Sequence, residues 1–510
     1  MHTRMISRCS FTGVKGWLVP LFESFFIFVL HFLLFQRESL VGALPVGVDG
    51  FYHYAMATMH SWTNLAQDVD FLPYTYLGTN PVNHHWLFHW ALKPLTYLPE
   101  NAEYSIANAA AVWGALLPAL LNLILRFARV PFAPLVAIFA VWAAVSLPAR
   151  YLMFRAQNLA LLFLVLLHVL GARKKYLFFA IALFFFSQSY QAAVLVFFVV
   201  FSIVLTDWFI NREFNTRIIF ASVLGFGLSL ILSPWFPGNV EFFVFHLLFL
   251  IWNPYEIYQI NGVEWRPLRS LDFFRMCYPA LASLAIAVIA LWKSSRQRPV
   301  FLLAISFFML AVFFGFMSLN HVRFIEFFGP MSVIAMAVSL AAYNENSKRV
   351  AIHSLLALSL VGLLSISTLS LEKFSTTSTI ETYQGHCKYI RQNLRPGATI
   401  FNASEWSTFS ILFKCLPGTN FVVGLDGNML AYGDKDVFRI WYMFYAGQFE
   451  SVLLSPQLVD EVLAVFDKTN TQFVVFSPKH MKSAVRLSDA IAGLEFMMGP
   501  NNNFLLIYAP

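Results

Sequence analysis

Eleven runs of mainly apolar residues, most of them near the length at which a helix crosses a bilayer and some shorter, recur along the chain and constrain it more than any motif does. A spanning helix needs about 20 such residues, and fewer suffice where the membrane thins or other helices cover the segment. The runs cover 17–35, 106–125, 132–147, 152–170, 176–186, 192–205, 218–232, 273–292, 300–317, 324–342 and 351–371. Charged residues make up only 12% of the 510, and the mean hydropathy is +0.65. An ordinary soluble domain carries about 25% charged residues. A disordered chain, a secreted disulfide scaffold and a purely soluble enzyme are therefore excluded, because no water-soluble core could hide this much apolar surface.

The basic residues set the orientation. Lys and Arg should collect in every second connection, on the cytoplasmic side. Arg4, Arg8 and Lys15 precede the first run, and alternate loops hold Arg126 and Arg129, Arg173 to Lys175, Arg212 and Arg217, Lys293 to Arg298, and Lys348 with Arg349. The N terminus is thus expected in the cytoplasm and the C terminus outside. The same rule forces two readings. Residues 176–205 should be two short helices turning at Ser187 to Gln191, and 241–252 should be a re-entrant or interfacial helix within an external loop. The first run is too long for a signal peptide and lacks a small-residue cleavage site, so it reads as an anchor. Topology accounts for the net charge of +7, and no nucleic-acid partner is expected.

The expected fold is a polytopic α-helical membrane protein with about eleven transmembrane helices and a C-terminal extracytoplasmic α/β domain. Residues 1–371 form the membrane domain, with large external loops at 36–105 and 233–272, and 372–510 form the periplasmic or lumenal domain. In the tail, 399–403, 421–425, 472–477 and 504–508 read as strands, and 381–394, 437–446 and 457–468 as helices. The four cysteines have no CxxC spacing, and only Cys387 with Cys415 is a candidate bridge. No GxGxxG or Walker loop and no internal repeat occur.

Function must lie in the polar minority. Asp49, in Val48-Asp49-Gly50-Phe51-Tyr52-His53-Tyr54, follows the first span by about a dozen residues, where an acidic group and His53 can set a base beside a lipid-borne substrate. It can equally cap a helix. His85 and His89 lie one helical turn apart. They resemble a metal pair without the glutamate of HExxH, or else line an interfacial helix. Arg150 and Arg155 lie on the face where positive charge is scarce, and suit either phosphate oxygens or lipid headgroups. Arg323 stands at the external mouth of a span beside His321, with Glu326 about one turn inside. Charges at such depth are expensive and commonly functional, although an Arg323–Glu326 ion pair can also serve packing alone. Arg266, in Glu264-Trp265-Arg266-Pro267-Leu268-Arg269, can close over a substrate or anchor the surface.

Taken together, an early external Asp, a re-entrant external loop, the mouth arginine of His321-Val322-Arg323-Phe324 and an outer α/β tail resemble the GT-C superfamily of membrane glycosyltransferases. The tail stretches Phe401-Asn402-Ala403-Ser404-Glu405-Trp406 and Val423-Gly424-Leu425-Asp426 are similar to those of bacterial membrane proteins near the oligosaccharyltransferase-like members. The resemblance implies inverting transfer of a sugar or glycan from a polyprenyl-phosphate or polyprenyl-diphosphate donor to an extracytoplasmic glycan, lipid or protein acceptor. It implies Asp49 as the reaction-centre carboxylate, with His53 beside it, and Arg323 as the donor-phosphate clamp, joined by Arg150, Arg155 and Arg266. His85, His89, His321 and Glu326 would be supporting residues, and a divalent cation, Mg or Mn, would sit at Asp49 if one is used. The chain departs from oligosaccharyltransferases in having Arg150 and Arg155 where a paired acidic motif is expected, and in lacking a Trp-Trp-Asp signature. The expected compartment is a bacterial inner membrane. In an ER membrane, Asn402-Ala403-Ser404 would be a glycosylation acceptor. A transporter or flippase, and a non-catalytic binder of lipid-linked glycans, are the competing classes.

Overall fold

The computed structural model of the protein describes residues 14–40, 48–61, 68–98, 105–144, 146–252, 267–294, 299–343, 377–403, 408–450, 455–477, 480–491, 494–498 and 504–508. They fall into two compact units. The first comprises Met1–Pro45, Glu100–Leu232 and Val263–Phe374, and the second Val46–Pro99, Ser233–Gly262 and Ser375–Pro510.

Among the described residues of the first unit, six helices are long and apolar enough to cross a membrane: Trp17–Gln36, Ile106–Phe127, Gln191–Asn211, Ser270–Trp292, Val300–Asn320 and Val322–Tyr343. The shorter apolar helices Gln157–Ala172, Tyr176–Ser189 and Thr216–Ile231 accompany them, and the chain is a multi-pass membrane protein. The expected run 351–371 lies outside the described residues. The run 132–147 is not one helix. Ala133–Val141 ends at Trp142, and a separate short helix, Leu147–Leu152, starts with Pro148 in its first turn, where a missing N–H leaves nothing unsatisfied. Between Tyr176–Ser189 and Gln191–Leu195 the chain is extended at Tyr190.

Polar contacts tie these helices where apolar packing alone would leave register loose. Glu23 pairs with Arg126, and Asn122 Nδ2 donates to Ser24 Oγ at 2.9 Å. The Ile325–Tyr343 helix is buried along nearly its whole length against Ser270–Trp292 and Pro299–Asn320. Gly329 lets Leu147 approach it. A Cβ there would lie 2.7 Å from Leu147 Cδ1, too close for any larger residue without a shift.

The second unit is built on a five-stranded sheet of order β2-β1-β3-β5-β4. Its strands are β1 (Thr399–Asn402), β2 (Asn420–Phe421), β3 (Thr471–Phe476), β4 (Leu494–Met498) and β5 (Phe504–Tyr508). The first three are parallel, and β5 and β4 add antiparallel. Strand β2 is shorter than the expected 421–425. The chain turns at Leu425, which is left-handed (φ 62°), and Asp426 then accepts from Asn428 N to start the Gly427–Gly433 helix. Trp441, fully buried, donates from Nε1 to the Asn402 carbonyl at 3.1 Å. Cys387 and Cys415 form a disulfide.

Val46–Pro99 and Ser233–Gly262 belong to this unit together with the tail. Phe71 meets Phe413 at a ring separation of 4.2 Å, and Tyr52 lies against Phe409 and Phe413. Phe421 N donates to the Phe71 carbonyl, so the loop chain borders β2. Lys414 sits over the rings of Phe51 and Tyr54 at 5.7 and 5.6 Å, within cation–π range.

Candidate active site

Two polar groupings stand out, one in each unit. In the first unit, Arg150 on the Leu147–Leu152 helix donates through Nε to the Glu326 carboxylate, and the two side chains are 11% and 3% exposed. An isolated charge at that depth is heavily penalised, and the pairing offsets part of that cost. Several hydrogen bonds frame the pair. Tyr151 OH donates to the Glu326 carbonyl at 2.8 Å, Asn158 Nδ2 to the Tyr151 carbonyl at 2.8 Å, and Trp113 Nε1 to the Arg155 carbonyl at 3.1 Å. Arg155 is buried. Arg323 is half-buried in the one-turn helix Val322–Phe324 that leads into Glu326, with His321 just before it.

The stretches 150–155 and 323–326 therefore carry three guanidiniums and one carboxylate. That surplus of positive charge suits an anion with several oxygens, since guanidinium forks match phosphate bidentately. Arg150, on the short helix, is 11% exposed, and Arg155, three residues beyond the helix end, is buried. Glu326, for its part, pairs with Arg150, a partner 176 residues away that sequence spacing could not supply.

In the second unit, the Val48–Met59 helix carries Asp49 in its first turn and His53 one turn later. An acidic side chain there is favoured by the helix dipole. Asp49 is half-buried. His53 Nδ1 and His89 Nε2 share a hydrogen bond at 2.8 Å. His85 lies 5.4 Å from the His53 ring, His60 5.8 Å from His89, and His84 4.3 Å from His85. His246 of the Gly238–Trp252 helix comes within 6.0 Å of His84. Lys93 Nζ donates to the Thr58 carbonyl at 2.8 Å at the edge of the cluster.

Burial, and then the nearby Lys93 charge, lower the pKa of His60 to about 4. Burial followed by the neighbouring imidazoles holds His84 and His89 well below the usual histidine value. Protonation is thus disfavoured at His60, His84 and His89. Among the described residues, no group of three or more His, Cys, Asp or Glu is arranged to hold a metal ion.

The structure brings His53, His85 and His89 together, and separately Arg150 with Glu326. Arg266 lies outside the described residues. Sequence reasoning missed His60, His84, His246 and Tyr151. His60 had a signal, since it stands seven residues after His53 and so falls on the same helical face. Tyr151 had none, because its role comes from a bond to a distant carbonyl.

No family profile and no curated protein matches the sequence. Solved structures do. The oligosaccharyltransferase of Archaeoglobus fulgidus, solved with a tethered acceptor peptide containing the NVT sequon, aligns with a TM-score of 0.56 at 12% identity, over 97% of this chain and 75% of that one. ArnT from Cupriavidus metallidurans bound to undecaprenyl phosphate aligns with a TM-score of 0.54 at 15% identity, over 97% and 98%. Both are GT-C glycosyltransferases, and the chain has a distant GT-C-like fold.

Proposed function

We propose that the protein is an inverting glycosyltransferase that moves a sugar or glycan from a polyprenyl-phosphate or polyprenyl-diphosphate donor to an extracytoplasmic glycan, lipid or protein acceptor. The observation that carries this reading is the buried Arg150–Glu326 pair, in stretches of chain that also contain Arg155 and Arg323, within a fold similar to enzymes of this class. That one such relative was solved with undecaprenyl phosphate and another with an acceptor peptide supports a lipid-linked donor and a separate acceptor.

In the reaction, an acceptor hydroxyl or amide attacks the anomeric carbon as the bond to the phosphate oxygen breaks. The attacking group gives up a proton, and the departing phosphate gains one negative charge. Asp49, with His53 beside it, takes or orients that proton. Arg323, Arg150, Arg155 and Arg266 meet the charge that grows on phosphate, which is where fixed cations accelerate such a step most. Glu326 holds Arg150, Tyr151 bonds the Glu326 carbonyl, and His85, His89 and His321 are supporting residues. We place the protein in a bacterial inner membrane, with its N terminus in the cytoplasm and the second unit in the periplasm. A divalent cation at Asp49 stays outside the proposed steps.

The test is a transfer assay with radiolabelled donors and membrane extract. Asp49→Asn should retain donor binding and lose turnover by about 10²–10⁴-fold, the usual range for a general base. Arg323→Ala should lose donor affinity as well. Full turnover in Asp49→Asn would remove that residue from the chemistry.

A further inference from the structure

Two helices of the first unit end in the same way. Ser105–Phe127 closes with Arg129 N donating to the Arg126 carbonyl and Val130 N to the Leu125 carbonyl, both at 2.9 Å. Gln157–Ala172 closes with Lys174 N donating to the Gly171 carbonyl and Lys175 N to the Leu170 carbonyl, again at 2.9 Å. This ending holds one residue in the left-handed region, where glycine is favoured. The chain instead has Arg129 (φ 58°) and Lys174 (φ 56°) there, and a third helix, Gln191–Asn211, runs into left-handed Arg212 (φ 58°). The backbone gains nothing from a long cationic side chain at such a position, so the reason for it lies in the side chain.

The three ends converge. The Arg173 guanidinium lies 4.8 Å from the centre of the Phe127 ring, and Lys174 Nζ reaches the Glu213 carboxylate, next to Arg212, at 3.5 Å. Partial burial, followed by the Arg129 charge, holds the Arg173 guanidinium below its usual pKa, so two like charges are kept close together. Residues 126–130, 171–175 and 207–217 contain seven Lys and Arg against two acids, Asp207 and Glu213. Asp207 is buried and turned inward, where Asn211 and Asn215 donate to its two oxygens at 3.1 and 2.9 Å.

Helix dipoles favour a cation at each C-terminal end, but they do not call for one guanidinium beside another. An anion with several oxygens does, because guanidinium forks match phosphate bidentately and the anion's charge removes their mutual repulsion. The Gln157–Ala172 helix, about 24 Å long, separates this place from Arg150 and Arg155, which precede its other end. Leu177 and Phe178, just beyond Lys175, are exposed apolar residues that suit acyl chains.

We propose that Arg129 and Arg173, with Lys174 beside them, form a binding site for a phosphate-bearing anion, carried by a lipid headgroup or free in solution. The inference is independent of the transferase reading, since it concerns other residues and the opposite end of the Gln157–Ala172 helix.

The test uses the full chain in detergent, with dioleoyl phosphatidate, phosphatidylcholine and inorganic phosphate as probes, and native mass spectrometry to count retained lipid. Wild type should retain phosphatidate several-fold more than phosphatidylcholine, and Arg129→Gln with Arg173→Gln should lose that preference. Lys293→Gln, which removes an exposed cation at the end of the Ser270–Trp292 helix, should keep it. Phosphatidate that millimolar phosphate does not displace identifies the lipid as the source. Displacement, with phosphate raising the melting temperature of wild type and not of the double variant, identifies the soluble anion. In phosphate-free detergent, Arg129→Gly should melt no lower than wild type while binding falls. Unchanged phosphatidate retention in the double variant, or an equal loss in Lys293→Gln, would overturn the site in favour of diffuse attraction. A lower melting temperature in Arg129→Gly with retention unchanged would overturn it in favour of a helix-end role.

Discussion

Arg150 and Glu326 are 176 residues apart in the chain, yet the guanidinium Nε of one donates directly to the carboxylate of the other in a setting almost closed to solvent. Close by, Gly329 of the Ile325–Tyr343 helix lies against Leu147, the first residue of the Leu147–Leu152 helix that carries Arg150.

Removing one partner should therefore hurt more than removing both. Glu326→Ala leaves a buried guanidinium uncompensated and should destabilise the protein by about 3–5 kcal/mol, the usual effect of breaking a buried pair from one side. Arg150→Met with Glu326→Met should recover most of that loss. Thermal unfolding in detergent reads both. Neither variant should retain wild-type donor affinity, so stability and binding separate in the double variant.

Acid should loosen the histidine cluster. His60 titrates at about 4 in the folded protein because burial, followed by Lys93, opposes its charge, whereas an unfolded histidine titrates near 6.5. Below pH 6.5 the unfolded chain binds more protons than the folded one, so stability contributed by His60 is full above 6.5 and falls as pH drops toward 4. His84 and His89 act in the same direction. His60→Gln should flatten the dependence between pH 6.5 and 4, as followed by intrinsic fluorescence. An unchanged slope would mean that His60 is already charged in the folded state.

The Cys387–Cys415 disulfide closes a separation of 28 residues. A loop of that size corresponds to about 3–4 kcal/mol of stabilisation in the chain-entropy treatment. Cys387→Ser with Cys415→Ser should lower the melting temperature of the second unit and leave the membrane spans folded, as seen by limited proteolysis. No change in melting would argue against the bridge.

Asn402 should carry no glycan despite its Asn-Ala-Ser context. It is fully buried in β1, and its Oδ1 accepts from Val423 N at 3.4 Å, so an oligosaccharide could attach only to an unfolded chain. Intact mass after expression in a glycosylating host checks this, and a glycosylated form that remains folded would contradict it.

What the sequence shows and hides follows from the range of the interactions. Spans such as 106–125 and 273–292 are readable because hydropathy acts along one helix. Strands β1 and β3 are readable from their buried apolar runs. Strand β4 was missed because Leu-Glu-Phe-Met-Met has no β-branched residue, and its conformation is set by pairing with β5. The joining of the loops to the tail was missed because it rests on pairs such as Phe71 with Phe413 and Tyr52 with Phe409. Within the site, residue types were legible and partners were not. Arg150 stood out as a positive charge on the face where such charge is scarce and Glu326 as a charge about one turn inside a span, but the bond between them joins residues 176 apart and no local spacing encodes it.

The central claim is that the protein turns over a lipid-linked sugar. The most direct measurement is the transfer of radiolabel out of the lipid-extractable fraction, with purified wild-type protein reconstituted with polyprenyl-phosphate and polyprenyl-diphosphate sugars and membrane extract. The account predicts release or transfer of label from one donor class by wild type, abolished in Asp49→Asn and Arg323→Ala. Folded wild-type protein that neither binds nor consumes any donor in such a panel would contradict it.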